Sequence, residues 1–223
     1  MNMIELLVLD MAGTTIDEDN VVYKTLMKAV NDHGYTVSLE EVLSSCAGKE
    51  KFDAIATLLE EIGGKKEDTE EIFKDFSEKL KIAYQNLEVK PIDHVEDFLL
   101  KARRSGKKVV LNTGYSMEIA QQLIQKLSWK ENIHFDALIT ADDVSASRPN
   151  PDMIFLAMKK FGIDDPKKVL KAGDSAIDIE EGKNAGCGII IGVLSGAQTR
   201  NELEKAKPDY IFERISDVEK ILY

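Results

Sequence analysis

The chain has 223 residues, of which 43% are hydrophobic and 31% charged, as in an ordinary globular protein. This composition excludes a disordered chain, and no low-complexity or repeated segment interrupts it. The 40 acidic residues outnumber the 29 basic ones and give a formal net charge of −11. Such a charge disfavours binding to nucleic acids or to anionic membranes.

The first apolar run of the chain, residues 6–9, ends at an aspartate. Because it is far too short for a signal peptide or a membrane span, we expect a cytoplasmic protein. The two cysteines, Cys46 and Cys187, lie far apart without metal-ligand spacing around them. We therefore predict that both are reduced packing residues.

Six short runs rich in β-branched and apolar residues predict strands. In chain order they are 6–10, 108–112, 137–140, 169–173, 188–193 and 210–212. Each of them except the first is followed by a predicted helix, and this alternation favours a parallel sheet in an α/β fold. Ligands of an open parallel sheet bind at the carboxyl ends of the strands, so the residues just after each strand are the functional candidates.

After the first strand the alternation stops, and residues 20–87 have a helical pattern throughout. For example, Val22, Leu26 and Val30 recur at helical spacing. The sequence thus predicts a Rossmann-like parallel-sheet core, residues 1–17 and 91–223, with an inserted helical cap, residues 18–90. The polar stretch 17–20 and the segment at 90–91 would be the joints.

Four polar segments follow the predicted strands: Asp-Met-Ala-Gly-Thr-Thr at 10–15, Asn-Thr-Gly at 112–114, Arg-Pro-Asn-Pro at 148–151 and Gly-Asp-Ser-Ala-Ile-Asp at 173–178. In this order, and over nearly the whole chain, they resemble the four motifs of the haloacid dehalogenase-like superfamily of hydrolases. The resemblance implies that Asp10 is a nucleophile that becomes phosphorylated and that Arg148 is the catalytic cation. The implied substrate-binding positions are Ala12, Gly13, Thr113, Gly114 and Arg148.

A carboxylate can accept a phosphoryl group only if the repulsion between the two anions is cancelled, which calls for a hard divalent cation held by oxygens. The resemblance implies Mg2+, with the ligands Asp10, Asp174, Asp178 and the backbone carbonyl of Ala12. Two of the predicted site residues also have simpler interpretations. Asp178 is suited to cap the N-terminus of the following helix, and Arg148 to form a surface ion pair.

Most members of the superfamily carry a second aspartate two residues after the nucleophile, which protonates the leaving oxygen of a phosphate ester. Here that position is Ala12. The phosphonoacetaldehyde hydrolase (phosphonatase) subgroup shares the sequence Asp-x-Ala-Gly-Thr and an arginine at the position of Arg148. It also has a cap lysine that condenses with an aldehyde, and the Gly-x-x-Lys spacing here selects Lys51, with Lys49 as a close neighbour.

Two positions depart from the subgroup pattern: Ala54 stands where phosphonatase has a histidine, and Asn20 where it has a cysteine. We therefore expect a phosphonatase-like protein whose substrate is a 2-oxoalkylphosphonate other than phosphonoacetaldehyde. A C–P bond has no bridging oxygen to protonate, so a protonated imine on Lys51 would accept the electrons of the departing fragment while Asp10 takes the phosphoryl group.

Two other functions are compatible with the same motifs. One is a phosphatase or phosphomutase that acts on a small phosphate ester, and Ala12 argues against it. The other is a non-enzymatic binding protein on a hydrolase scaffold. The imine mechanism further predicts that the cap closes on the core, and a helical cap offers a surface for a homodimer.

Overall fold

The computed structural model describes residues 3–47, 49 and 51–222. The chain divides into two compact units. Met1–Asp17 and Val89–Tyr223 form what we call the sheet unit, and Glu18–Glu88 form the helical unit. The division after the helical segment thus falls at 88, whereas the sequence suggested 90.

The strands follow the sequence prediction closely. They are β1 (Leu6–Asp10), β2 (Ile16–Asp17), β3 (Lys90–Pro91), β4 (Lys108–Thr113), β5 (Ala137–Thr140), β6 (Val169–Gly173), β7 (Ile189–Val193) and β8 (Tyr210–Phe212). Six of them form one sheet in the order β5-β4-β1-β6-β7-β8, and every neighbouring pair is parallel. The predicted α/β fold with a parallel sheet is therefore confirmed.

The helices fall into two groups. The helical unit contains α1 (Val21–Asp32), α2 (Leu39–Cys46), α3 (Lys51–Glu61) and α4 (Thr69–Asn86). The sheet unit contains α5 (Val95–Arg104), α6 (Met117–Lys126), α7 (Asp152–Phe161), α8 (Ala176–Ala185), α9 (Arg200–Ala206) and α10 (Glu219–Leu222). None of these helices combines the length and the hydropathy that a membrane span needs, as far as the described residues extend.

β1 is the centre of the sheet, and all five of its residues are buried. A strand covered on both faces of a parallel sheet must be apolar along its length, which explains the run Leu-Leu-Val-Leu. Its register pairs Asp10 with Asn112 of β4 and Leu9 with Ala172 of β6. The carboxyl ends of these three neighbouring strands therefore meet at one edge of the sheet.

Two strand limits differ from the prediction by one residue. β4 continues to Thr113, which pairs with Thr140 of β5. β7 begins at Ile189 and not at Gly188, which lies so close to the preceding loop that a Cβ there would overlap the Lys167 carbonyl.

The sequence did not predict β2 and β3. They form an antiparallel pair in which Ile16 lies opposite Pro91 and Asp17 opposite Lys90. Each strand has only two residues, too few for an alternating pattern, and the pairing joins segments that are distant in the sequence. Through this pair the chain leaves the sheet unit and later returns to it.

The helical unit has the amphipathic pattern that the sequence predicts. On α1 the buried side chains include Val22, Leu26 and Val30. Gly34, with a φ of 87°, follows the end of this helix in a left-handed conformation that favours glycine. Among the described residues from 18 to 88 there is no strand.

Both cysteines are free thiols, as predicted, and both are buried. Cys46 belongs to the helical unit and Cys187 to the sheet unit. Burial raises the pKa of the Cys187 thiol to about 12, so it remains protonated and inert. These residues contribute to packing.

The core of the sheet unit includes α7, on which Ile154 is completely buried while the next residue, Phe155, is 45% exposed. We predict that Ile154→Ala lowers the free energy of unfolding by about 2–5 kcal/mol, because it leaves a cavity. Phe155→Ala on the same helix should change it by less than about 1 kcal/mol. Urea denaturation followed by circular dichroism measures both, and equal effects of the two variants would contradict this description of the core.

Candidate active site

Three of the predicted metal ligands come together at the carboxyl edge of the sheet. Asp10 is the last residue of β1, Asp174 follows β6, and Asp178 lies in the first turn of α8. All three are buried, and one carboxylate oxygen of each lies within 4.8 Å of the others. The sequence motifs, separated by more than half of the chain, thus form one acidic cluster.

The turn after β1 places the next predicted positions. The Thr15 hydroxyl donates to the Asp10 carbonyl oxygen at 2.9 Å, and the Gly13 N–H donates to the Ile16 carbonyl at 2.8 Å. Gly13 has a φ of 72°, and a Cβ on it would lie 2.5 Å from Asp174 Oδ2. Glycine is therefore required here both by the backbone and by the close approach of the acid. Ala12 lies in this turn, directly before Gly13.

A second contact ties the same turn to the loop after β7. Ser195 Oγ donates to the Gly13 carbonyl oxygen at 2.6 Å, and the Ala197 N–H donates to Asp174 Oδ2 at 2.6 Å. This loop, residues 194–199, therefore holds one oxygen of Asp174 in place. This role of the loop was not predicted, because the contacts are made by a hydroxyl and a backbone amide in a segment without a motif.

Asp178 does not cap its helix, so that interpretation is wrong. The N-cap of α8 is Ser175, and Asp178 lies within the helix. The Ser175 hydroxyl donates to Asp178 Oδ2 at 2.6 Å. A Cβ on Gly173 would overlap the Asp178 carboxyl group. The side chain of Asp178 is thus packed directly over the end of β6.

Arg148 is not a surface residue, and the interpretation as a surface ion pair is also wrong. Its side chain is only 10% exposed. Nη1 lies 2.7 Å from Asp10 Oδ1 and 2.9 Å from Asp178 Oδ1, and Nε lies 3.1 Å from Glu181 Oε2. Nη2 donates to the carbonyl oxygen of Asn112 at 2.7 Å and also to its side-chain oxygen. The guanidinium is therefore held in a fixed orientation beside Asp10.

Thr113 and Gly114 follow Asn112 at the same edge. Thr113 is almost completely buried, and its hydroxyl accepts a hydrogen bond from the Tyr115 N–H at 3.2 Å. Gly114 is exposed, and a Cβ on it would meet no atom within 4 Å. The backbone of Gly114 thus borders open space, as a position that binds a ligand requires.

Two charged residues of the cluster were not predicted. Lys171, in the middle of β6, and Glu181, on α8, are both completely buried. Lys171 Nζ lies 2.9 Å from Asp178 Oδ1 and 3.0 Å from Glu181 Oε2. A lysine inside an otherwise apolar strand, and a glutamate three residues after a predicted ligand on the same helix face, are the signals that would have identified them.

The electrostatics of the cluster are unbalanced. Four buried carboxylates, Asp10, Asp174, Asp178 and Glu181, face two cations, Arg148 and Lys171. Formally, two negative charges remain in excess. Burying charge without a counterion is costly, so the cluster must bind either protons or a cation.

The pKa values show where protons bind when no cation is present. Burial raises the pKa of Asp10 to about 6, although Arg148 lowers it. Burial, reinforced by the charges of Asp10 and Asp178, raises the pKa of Asp174 well above its usual range. For Asp178 burial acts in the same direction, but Arg148 and Lys171 outweigh it and hold the pKa below its usual value.

The residues fit a divalent metal ion. The donors are all oxygens, which Mg2+ and Ca2+ prefer. The excess of two negative charges equals the charge of one such ion, and the raised pKa values of Asp10 and Asp174 mark the two carboxylates that lack a full counter-charge. Members of the haloacid dehalogenase-like superfamily generally use Mg2+.

Lys51 belongs to the helical unit. It is the first residue of α3, and its Nζ donates to the Lys49 carbonyl oxygen at 2.7 Å. The same Nζ lies 5.3 Å from the centre of the Tyr23 ring, a cation–π distance. Gly48 and Glu50, which belong to the segment that selects Lys51, lie outside the described residues.

Comparison with known proteins agrees with this geometry. Residues 7–191 match the family of haloacid dehalogenase-like hydrolases. A phosphonoacetaldehyde hydrolase from Bacillus mycoides (strain KBAB4) is 30% identical over 231 residues, which cover 96% of this chain and 86% of that protein.

Solved structures share the fold. A phosphonoacetaldehyde hydrolase-like protein from Oleispira antarctica superposes with a TM-score of 0.79 at 22% identity, over 98% of this chain and 91% of that one. A predicted phosphoglycolate phosphatase from Haemophilus somnus gives a TM-score of 0.81 at 21% identity, over the full length of both chains. At these identities the two structures establish the fold alone.

The family match covers most of the chain and includes the strands that carry Asp10, Asn112 and Lys171. The predicted resemblance to the superfamily, and to its phosphonatase-like members, is confirmed by the relatives, and the chain is a hydrolase. It belongs to the family of haloacid dehalogenase-like hydrolases.

Proposed function

We propose that this protein is a Mg2+-dependent hydrolase that cleaves the C–P bond of a small 2-oxoalkylphosphonate. The observation that carries the proposal is the pairing of a complete charged cluster around Asp10 with an alanine, Ala12, at the position of the usual general acid. The 30% identity to a phosphonoacetaldehyde hydrolase supports the same chemistry.

In the proposed reaction the Asp10 carboxylate attacks phosphorus and forms an aspartyl phosphate, which water then hydrolyses. Arg148, 2.7 Å from Asp10 Oδ1, is close enough to bind the phosphoryl oxygens as they arrive. Asp10, Asp174 and Asp178, with the Ala12 carbonyl, would hold the Mg2+. When bound, this ion would offset the repulsion between the carboxylate and the phosphonate.

The phosphoryl oxygens would be bound at the strand ends. Thr113 and the backbone N–H groups near it, including that of Gly114, are the proposed donors. The Gly13 N–H already donates to Ile16, so we assign Gly13 a role in shaping the turn beneath the substrate. Preorganised donors of this kind stabilise the charge that develops on the transferring group.

The carbon side of the reaction requires a separate electron sink. We propose that Lys51 condenses with the substrate carbonyl with loss of water and forms a protonated imine. When the C–P bond breaks, its electron pair moves into the imine, which becomes an enamine, while phosphorus bonds to Asp10. Protonation at carbon and hydrolysis then release the aldehyde or ketone and regenerate Lys51. Both residues must act on the same substrate molecule.

The substrate is small and anionic, and the net charge of −11 makes nucleic acids and anionic membranes poor partners. We propose a cytoplasmic location, as expected for an enzyme with two free thiols. We also propose that the protein forms a homodimer through a surface of the helical unit.

Trapping the imine tests the role of Lys51. After incubation with an aldehyde-bearing phosphonate and borohydride, we predict a stable mass increase on a peptide that contains Lys51. Lys51→Ala should lose this adduct, and the neighbouring Lys49→Ala, as the matched control, should retain it. Trapping that survives in Lys51→Ala would show that another residue carries the carbonyl chemistry.

Replacement of the nucleophile separates the two halves of the reaction. We predict that Asp10→Asn lowers the rate of phosphate release by about 1,000-fold or more, because no aspartyl phosphate can form. Imine trapping on Lys51 should persist in this variant. The exposed Asp164→Asn serves as the control. Phosphate release at the wild-type rate in Asp10→Asn would contradict the assignment of Asp10 as the nucleophile.

A separate outcome concerns the substrate. Rapid turnover of simple phosphate esters by the wild type would favour a phosphatase or phosphomutase.

The raised pKa values of Asp10 and Asp174 predict that Mg2+ and protons compete. As the pH falls through the Asp10 pKa of about 6, the ion must displace a proton from Asp10, and the raised pKa of Asp174 adds to this competition, so the affinity falls with pH. We expect the Kd for Mg2+ to rise about tenfold or more from about pH 7.5 to about pH 5.5. Isothermal titration calorimetry measures this, and a Kd that is independent of pH would refute the raised pKa values.

A further inference from the structure

The cluster contains a buried ion pair that the proposed reaction does not use. Lys171 lies in β6 with its side chain completely buried, although a lysine is rarely buried unless it is paired. Its ammonium group donates a hydrogen bond to Asn112 Oδ1 at 2.6 Å and lies at ion-pair distance from two carboxylate oxygens, 2.9 Å from Asp178 Oδ1 and 3.0 Å from Glu181 Oε2. Lys171 is therefore paired with two buried carboxylates.

Glu181 connects the two cations of the site. Its Oε2 lies 3.0 Å from Lys171 Nζ and 3.1 Å from Arg148 Nε, and its Oε1 accepts from the Asn112 side chain at 3.4 Å. Glu181 is not one of the three clustered carboxylates that fit a metal ion. Glu181 contacts Arg148 and Lys171, so it would influence the site through these two cations.

Lys171 in turn shares an oxygen with Arg148. Both cations lie 2.9 Å from Asp178 Oδ1, so this one atom is held between them. Lys171 thus draws Asp178 toward the sheet and reduces the negative charge that it presents to a cation. Glu181 has the opposite effect, because it offsets part of the positive charge of both Lys171 and Arg148.

We propose that Lys171 and Glu181 are positioning residues that together set the affinity of the acidic cluster for its divalent ion and hold Arg148 against Asp10. This inference rests on the proposed function, in which that ion is Mg2+. The charges act over only a few ångströms in a buried region, where Coulomb interactions are weakly screened. Removing one charge should therefore change the affinity in the direction set by its sign.

A structural role alone predicts a different result. If the pair merely filled the interior, the loss of either partner would leave the other buried without a counter-charge and would disturb the cluster. Both single substitutions would then weaken metal binding. The sign of the change in each variant distinguishes the two roles.

The experiment is a calorimetric titration of the full-length protein with MgCl2, without substrate. Relative to the wild type, we expect Lys171→Met to bind Mg2+ about tenfold more tightly and Glu181→Gln about tenfold more weakly. The double variant K171M/E181Q restores the net charge of the cluster and should return to within about threefold of the wild type. Thermal unfolding of each protein establishes that it is folded.

Changes of the same sign in both single variants, or no change in either, would overturn the proposal. If Lys171→Met does not fold, Lys171→Gln takes its place, because glutamine removes the charge but keeps a side-chain N–H donor, and the sign of its effect on the affinity for Mg2+ decides between the two roles. Wild-type protein that binds no Mg2+ would overturn the proposed function and this inference together. Opposite changes without any C–P cleavage would leave the inference intact and overturn the proposed reaction alone.

Discussion

The site depends on the burial of four carboxylates at the end of the central strand. Each of them would be strongly destabilised alone, and the two cations among them neutralise only half of the charge. The remaining negative charge must be offset by protons or by a cation, and the raised pKa of Asp10 reflects this imbalance. The sheet makes this arrangement possible, because its parallel strands all end at one edge and its helices begin there.

Close packing of the backbone then determines which oxygens face one another. Asp174 approaches the turn after β1, and Asp178 approaches the end of β6, at distances that only glycine permits at Gly13 and Gly173. Ser195 and Ala197, from a loop far along the chain, fix the same turn and the same acid. The acidic cluster around Asp10 is therefore held in place by residues that lie far apart in the chain, which is the usual condition for a preorganised site.

The sequence was sufficient to predict the strands of the main sheet and the three clustered aspartates. Apolar runs identified all six strands of the main sheet, and Asp10, Asp174 and Asp178 were selected because the segments at the strand ends resemble the superfamily motifs. Lys171 was overlooked because the run around it was used only to identify a buried strand, although a charged residue inside such a strand is itself a signal. Pairings such as β2 with β3 depend on tertiary contacts that no local pattern encodes.

The pairing of Ile16 with Pro91 and of Asp17 with Lys90 has a consequence for how the protein could have evolved. The two ends of the helical segment are hydrogen-bonded side by side. For the sheet unit, the segment is therefore equivalent to a closed loop that begins and ends at the same place. The entropy of closing a loop grows slowly with its length. Segments of quite different size could therefore have been exchanged at this point without disturbing the sheet or the acidic cluster at its edge.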